Sequence, residues 1–302
     1  MDHHPDAAHN GPMSTTTNLP SPALPAALRL GPVHLVVADL ARARNWYAHH
    51  LGMHVMSEDA DSVALGDGTQ TVLVLREDHA ARAPGAEAGL YHVALLYPSR
   101  QELARAAMRL AAYRTPIEGA SDHRTHEAIY LSDSEGNGLE LAADRPRDMW
   151  PTDLGYSRGP DPLDVANLLA TIDGEPLTPQ IGDGLRTGHL HLHVGDIDQA
   201  IAFYRDVLGF HVTANLGSAA FFAAGDYHHH LGANVWRGRG VGPVSDHVVG
   251  LGHWSAVLPT DADVNAVAAR ARAAGAVVIE QDGVVTVADP WGMRLQFTAA
   301  AR

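Results

Sequence analysis

No cysteine occurs among the 302 residues, which excludes disulfides and thiolate zinc sites and makes a reducing cytoplasm the expected compartment. Long apolar runs are missing too; none approaches the roughly 18 residues that a membrane span needs. Positive charge is scarce: 21 Lys and Arg stand against 35 Asp and Glu, a formal net charge of −14. That balance argues against wrapping a polyphosphate or settling on an acidic membrane surface, so neither nucleic acid nor membrane is an expected partner. The first 30 residues, rich in Pro, Thr, Ala and Asn, have neither a basic start nor a hydrophobic core. They read as a disordered leader (1–30) rather than a secretory signal. What the chain has in excess is histidine, 20 in all. Near neutral pH these add metal-binding capacity more than charge.

The remaining composition, 46% hydrophobic and 19% charged, is that of an ordinary globular protein, and the length suits two domains of about 100–150 residues. An internal repeat supports that division. Residues 34–53 (HLVVADLARARNWYAHHLGM) align with 191–210 (HLHVGDIDQAIAFYRDVLGF), sharing His, Leu, Val, Asp, Ala, Tyr, Leu and Gly. GLYHVALLYPS (89–99) matches GLGHWSAVLPT (250–260), and DSEGNGLEL (133–141) matches DPWGMRLQF (289–297). Three blocks at offsets of about 156–161 residues mark a duplicated domain.

Each half is itself doubled. After His34 a short strand leads to a helix over 41–51, with Ala43, Trp46, Tyr47 and Leu51 on one face. Strands follow near 53–57, 62–66 and 70–75, separated by Asp-Gly and Gly-Asp turns. The cycle restarts at Tyr91, with a helix over 99–113 and strands near 116–119, 127–132 and 137–142. It recurs from His189 and from Gly250. The pattern predicts an α+β fold of four βαβββ modules paired into two domains, 31–143 and 188–302, joined by a Pro- and Gly-containing connector, 144–187.

Three polar residues sit on short apolar strands of the first half: His34, His92 and Glu140. Two imidazoles and one carboxylate are the ligand set of a facial triad, which typically holds Fe(II) on one side and leaves the other side open.

This arrangement resembles the vicinal oxygen chelate superfamily, which contains glyoxalase I, the fosfomycin and bleomycin resistance proteins and the extradiol ring-cleaving dioxygenases. The resemblance covers residues 31 to about 298. It implies that modules curl into cupped mixed sheets with helices outside. It also implies that ligands come from first strands and a last strand, the positions of His34, His92 and Glu140. His123, Ile129-Tyr130, Asp133-Ser134-Glu135-Gly136 and Glu140 look like the extradiol dioxygenase signature, with Ser134 in place of its Pro and Ser121 at a position that usually holds Gly, Asn, Thr, Ile or Val. The likeness is to two-domain catechol 2,3-dioxygenases with the metal in the N-terminal half. It implies a cytoplasmic homo-oligomer of aromatic catabolism that uses Fe(II), or Mn(II) in its place, and takes a small aromatic diol and O2.

The resemblance also assigns roles: His123 as acid or base, Tyr130 as a hydrogen-bond donor beside the substrate, and His79 as a further pocket histidine. His126 reads as a surface residue. The strand Gln70–Leu75 offers no carboxylate or imidazole as the fourth ligand of a glyoxalase-type site, and Gln70 is its only weak candidate. In the second half the aligned positions are His191, His253 and Gln296, and a neutral amide is a poorer ligand than a carboxylate. That half therefore reads as a degenerate cup. His189, His191 and His193 share a strand face, however, and with His228-His229-His230, His253 and Gln296 they leave open a second metal site, principally His191, His253, Gln296 and His229. Two other functions remain: a glyoxalase-like metal-dependent isomerase or thiol transferase, and a non-enzymatic resistance protein that binds an aromatic compound.

Overall fold

The computed structural model describes residues 23–301 apart from Asp153 and Gly155. A short β1 (Arg29–Leu30) precedes the first module, which consists of β2 (Val33–Val37), α1 (Leu40–Trp46), β3 (His54–Glu58), β4 (Ser62–Gly66) and β5 (Thr71–Glu77). The second comprises β6 (Gly89–Tyr97), α2 (Arg100–Ala112), β7 (Gly119–Asp122), β8 (His126–Ser132) and β9 (Gly138–Asp144). The connector adds β10 (Asp161–Pro162) and α3 (Val165–Leu169). The third module is β11 (Arg186–His193), α4 (Ile197–Ile201), β12 (His211–Asn215), β13 (Ala219–Ala223) and β14 (Leu231–Asn234). The fourth is β15 (Gly250–Leu258), α5 (Asp261–Ala273), β16 (Val278–Gln281), β17 (Val284–Ala288) and β18 (Arg294–Ala299). The expected α+β architecture of four βαβββ modules is the one observed.

Every module turns from strand to helix by the same device. Asp39, Ser99, Asp196 and Thr260 each accept the backbone N–H three residues on, satisfying a donor that the first helical turn would otherwise leave free. In the first and third modules the helix runs on as a π-helical turn and stops at a left-handed glycine, Gly52 or Gly209. That turn seats a buried tyrosine. Tyr47 Oη donates to Asp133 at 2.8 Å and Tyr204 Oη to Asp289 at 2.8 Å, so helices pack between modules of the same repeat.

Strands pair differently. Within each module the first and last strands lie parallel. Modules then join through their first strands, antiparallel, β6 to β11 and β2 to β15. One sheet therefore runs β10-β7-β8-β9-β6-β11-β14-β13-β12, and the other β16-β17-β18-β15-β2-β5-β4-β3 with β1 on β15. The second module shares a sheet with the third, and the fourth with the first. The reading of 31–143 and 188–302 as two separate cups is corrected here: each cup takes one module from each repeat. An unpaired first strand would expose its backbone edge, and all four first strands are apolar enough to cover another. The connector returns the chain so that β11 lands on β6.

Residues 1–22 of the expected leader lie outside the described residues, whereas 23–30 are packed. Leu24 and Leu28 are buried, and β1 pairs with β15. No helix among the described residues is long and apolar enough to cross a membrane.

The connector is tied down at Asp67. Its buried carboxylate accepts from the backbone of Thr69, Gln70 and Gly184 and from the Thr69 hydroxyl. Burial alone would raise this carboxyl, but those donors overcome it and hold it at about 2, against an ordinary 3.8. A lowered folded-state value means that the stabilisation is complete above the ordinary pKa and is lost as pH falls toward 2. Asp67→Asn is expected to cost about 2 kcal/mol at pH 7 and little at pH 2 in urea unfolding.

Candidate metal centre

Register brings the ligand set together. Glu140 of β9 lies beside Ala94 of β6, and Ala94 faces His189 of β11. His92, two residues before Ala94, shares its face of the sheet. His92 Nε2 is 3.2 Å from Glu140 Oε2 and 3.3 Å from His189 Nε2, and His189 Nε2 is 3.3 Å from the same oxygen. The three donor atoms form a nearly equilateral triangle, and all three residues are buried.

The charges fit a cation. Burial would raise the Glu140 carboxyl, yet the imidazoles of His189, His126 and His92 hold it well below the usual range. Burial pushes His92 down to about 3, against the pull of Glu140, so it is neutral at physiological pH. No arginine pairs with Glu140 among the described residues, and its Oε1 is buried without a hydrogen bond, although His126 Nε2 lies 3.2 Å away. A buried carboxylate with no countercharge is costly, and a divalent ion offsets that cost.

The triangle opens on a cavity of about 350 Å³ walled by Tyr91, Tyr130, Tyr156, Phe221 and Trp236, with Leu154 and Leu216. His123 Nε2 lies 2.7 Å from Tyr130 Oη, and both line the cavity. Burial pushes His123 down to about 4 and, with Glu140, raises Tyr130. Tyr130 therefore keeps its proton, and the His123 tautomer decides which of the two donates in their hydrogen bond. A larger space of about 810 Å³, lined by Arg29, Arg186 and Gln70 among others, lies apart from the triangle.

Of the residues singled out in the sequence, His92, Glu140, His123 and Tyr130 converge here. His34 does not. It pairs in register with His253 on the other sheet, and the two rings stack at 3.8 Å. Burial lowers both, with Arg76 and Arg294 adding to it. The expected set His34, His92, Glu140 is thus corrected to His92, Glu140, His189, because β6 borders β11 and not β2. The expected second site is also divided: His191 and His229 line the cavity, whereas His253 and Gln296 belong to the other sheet. His79 is exposed beside Glu77, and Gln70 donates to the Leu185 carbonyl, so neither is in the cavity. His126, expected at the surface, is buried between the stacked rings of His123 and His228.

Sequence reasoning missed Asp144, and it set His189 and His228 with a separate second site rather than beside Glu140 and Asp144. The His189-Leu-His-Leu-His193 alternation was the available signal for His189. His126, Asp144 and His228 form a second close trio, with donor atoms within 4.8 Å of one another.

Comparison with known proteins agrees with this architecture. The family model of the Glyoxalase/Bleomycin resistance protein/Dioxygenase superfamily matches residues 29–141 and 186–297. The chain is 38% identical over 268 residues to the catechol-2,3-dioxygenase of Bacillus subtilis (strain 168), covering 86% of this chain and 93% of that one. Its fold is similar to that of a candidate dioxygenase from Bacillus subtilis subsp. subtilis str. 168, with a TM-score of 0.62 at 13% identity over 90% of this chain and 86% of that one. It is also similar to glyoxalase I from Zea mays, with a TM-score of 0.55 at 16% identity over 90% and 93%. The structural likenesses speak for the fold alone. With two matched spans that coincide with the two sequence repeats, and four modules joined into two nine-stranded mixed sheets, the chain belongs to the glyoxalase/bleomycin resistance protein/dioxygenase superfamily.

Proposed function

We propose that this protein is an extradiol ring-cleaving dioxygenase, which uses Fe(II) held by His92, His189 and Glu140 to open a catechol-type ring beside its two hydroxyls with O2. Mn(II) fits the same donors. The observation that carries this reading is the donor count: two imidazoles and one carboxylate on one side, facing an aromatic-walled cavity. Held there, the ion would supply adjacent coordination positions for a diolate and O2 and the redox capacity to couple them. The name of the 38% identical relative supports the same reaction class.

The remaining work falls to the chain. Phe221, Trp236 and Tyr91 pack against a flat ring and exclude water from it. Tyr130, hydrogen-bonded to His123, holds one polar pair beside the triangle where a diol hydroxyl would lie. A neutral His123 can accept a proton from the incoming diol and return it after the ring opens. Among the described residues the one Arg or Lys lining the cavity, Arg124, is committed to Asp161 at 2.8 Å and the Gly159 carbonyl at 3.1 Å.

Two tests follow from these roles. After anaerobic loading with Fe(II), addition of catechol and O2 should give oxygen uptake matched one-to-one with a yellow product. His189→Ala and Glu140→Ala are each expected to lower kcat/KM by more than about 100-fold, beyond the range of a change outside the ligand set. His34→Ala is expected to leave activity and iron content unchanged; loss there, with His189→Ala active, would move the site to the other sheet. In the second test, His123→Gln is expected to lower kcat by about 100-fold or more, the range for losing a positioned acid or base, while iron content stays at the wild-type level. Retained kcat would remove His123 from the chemistry.

A further inference from the structure

A second chain of buried polar groups reaches the cavity and plays no part in the ligand set. Asp144, the last residue of β9, meets His228; His228 meets His229; and His229 lines the cavity. Asp144 Oδ1 is 3.2 Å from His228 Nε2, and His228 Nδ1 is 2.8 Å from His229 Nδ1. Tyr156 Oη is 2.9 Å from His229 Nδ1 and 3.0 Å from the His228 carbonyl oxygen.

These four contacts place every hydrogen in the chain. A carbonyl oxygen can only accept, so Tyr156 donates its one O–H to the His228 carbonyl. Its oxygen must then accept from His229, which puts a hydrogen on Nδ1 of His229. That N–H also faces Nδ1 of His228, which therefore carries none. Neutral His228 then holds its hydrogen on Nε2 and donates it to Asp144. Any other assignment sets two donors or two acceptors against each other. The polarity runs one way, and it leaves His229 Nε2 without a hydrogen and, among the described residues, without a hydrogen-bond partner.

We propose that Asp144 and His228 are positioning residues that fix His229 as the Nδ1–H tautomer, so that its Nε2 lone pair accepts from a hydroxyl of the diol entering the cavity. The diol itself rests on the ring-cleavage reading above; the tautomer does not. The same assignment explains the close trio of His126, Asp144 and His228 without a metal, because His228 Nε2 is occupied by its hydrogen.

Asp144→Asn is the discriminating change. Tyr227 Oη is 2.9 Å from Oδ2 and 3.2 Å from Oδ1, and Arg186 lies 3.9 Å from Oδ2. An asparagine that sets its carbonyl on the Oδ2 side, nearer the Tyr227 hydroxyl and the Arg186 guanidinium, turns its amide N–H toward His228, which reverses the chain and moves the His229 hydrogen to Nε2. In the iron-loaded full-length enzyme, kcat with catechol is expected to fall about 100-fold or more, as when a reversed carboxamide imposes the wrong imidazole tautomer. KM and an iron content of one per chain should stay at wild-type values. His228→Leu should show the same loss. His228→Gln, whose amide can accept from His229 and donate to Asp144, should recover most of it.

The direct readout is long-range ¹⁵N imidazole NMR of histidine-labelled metal-free protein, with His229 assigned by its absence in His229→Ala. The expected spectrum has hydrogen on Nδ1 in the wild type and on Nε2 in Asp144→Asn. Nε2 protonation in the wild type, an unaltered kcat in Asp144→Asn, or a second equivalent of iron that this variant loses would each overturn the proposal. A wild-type protein with the Nδ1–H tautomer but no oxygen uptake would support the positioning and count against the ring-cleavage reading alone.

Discussion

The antiparallel pairing of β6 with β11 is the contact on which the candidate site depends. Neither repeat owns the full donor set: His92 and Glu140 come from the second module and His189 from the third. The sheet register, fixed by backbone hydrogen bonds, sets the 3.2–3.3 Å separations among their donor atoms. The equivalent seam, β15 with β2, has the same geometry but different chemistry. It presents His253 against His34, carries Gln296 where the other sheet has Glu140, and in the sequence alignment Pro32 stands opposite His189. Duplication thus made two seams, and only one brings a carboxylate to two imidazoles.

Burial decides the electrostatic character of that seam. Burial leaves His92 neutral, a good ligand and a poor countercharge, so the low-lying Glu140 carboxylate beside it suits a cation. The same burial keeps His123 neutral and Tyr130 protonated. Asp144, His228, His229 and Tyr156 form a second pair-by-pair ordered chain that reaches the cavity. The cavity is therefore polar at its floor, with hydrogens in fixed places, and aromatic at its walls.

Local features were legible in the sequence because local chemistry determines them. The strand-to-helix turns follow from Asp39, Ser99, Asp196 and Thr260, the module count from the repeat, and the positions of His92, Glu140, His123 and Tyr130 from strand patterns around them. Which module joins which was not legible. All four first strands are apolar and histidine-bearing, so pattern alone permits either pairing, and the choice lies in contacts between residues about a hundred positions apart. That single ambiguity put His34 where His189 belongs. His126 was misread because it lies in a polar run, although the third module buries it. Asp144 fell at an expected domain boundary, where a carboxylate looks like linker, whereas β9 carries it under Tyr227 and His228.

Anomalous diffraction from a crystal of the full chain loaded with Fe(II) or Mn(II) tests the central claim most directly. One peak per chain within bonding distance of His92 Nε2, His189 Nε2 and a Glu140 oxygen, at the floor of the aromatic cavity, is the expected result. A peak beside His34 and His253, with none near Glu140, would contradict it.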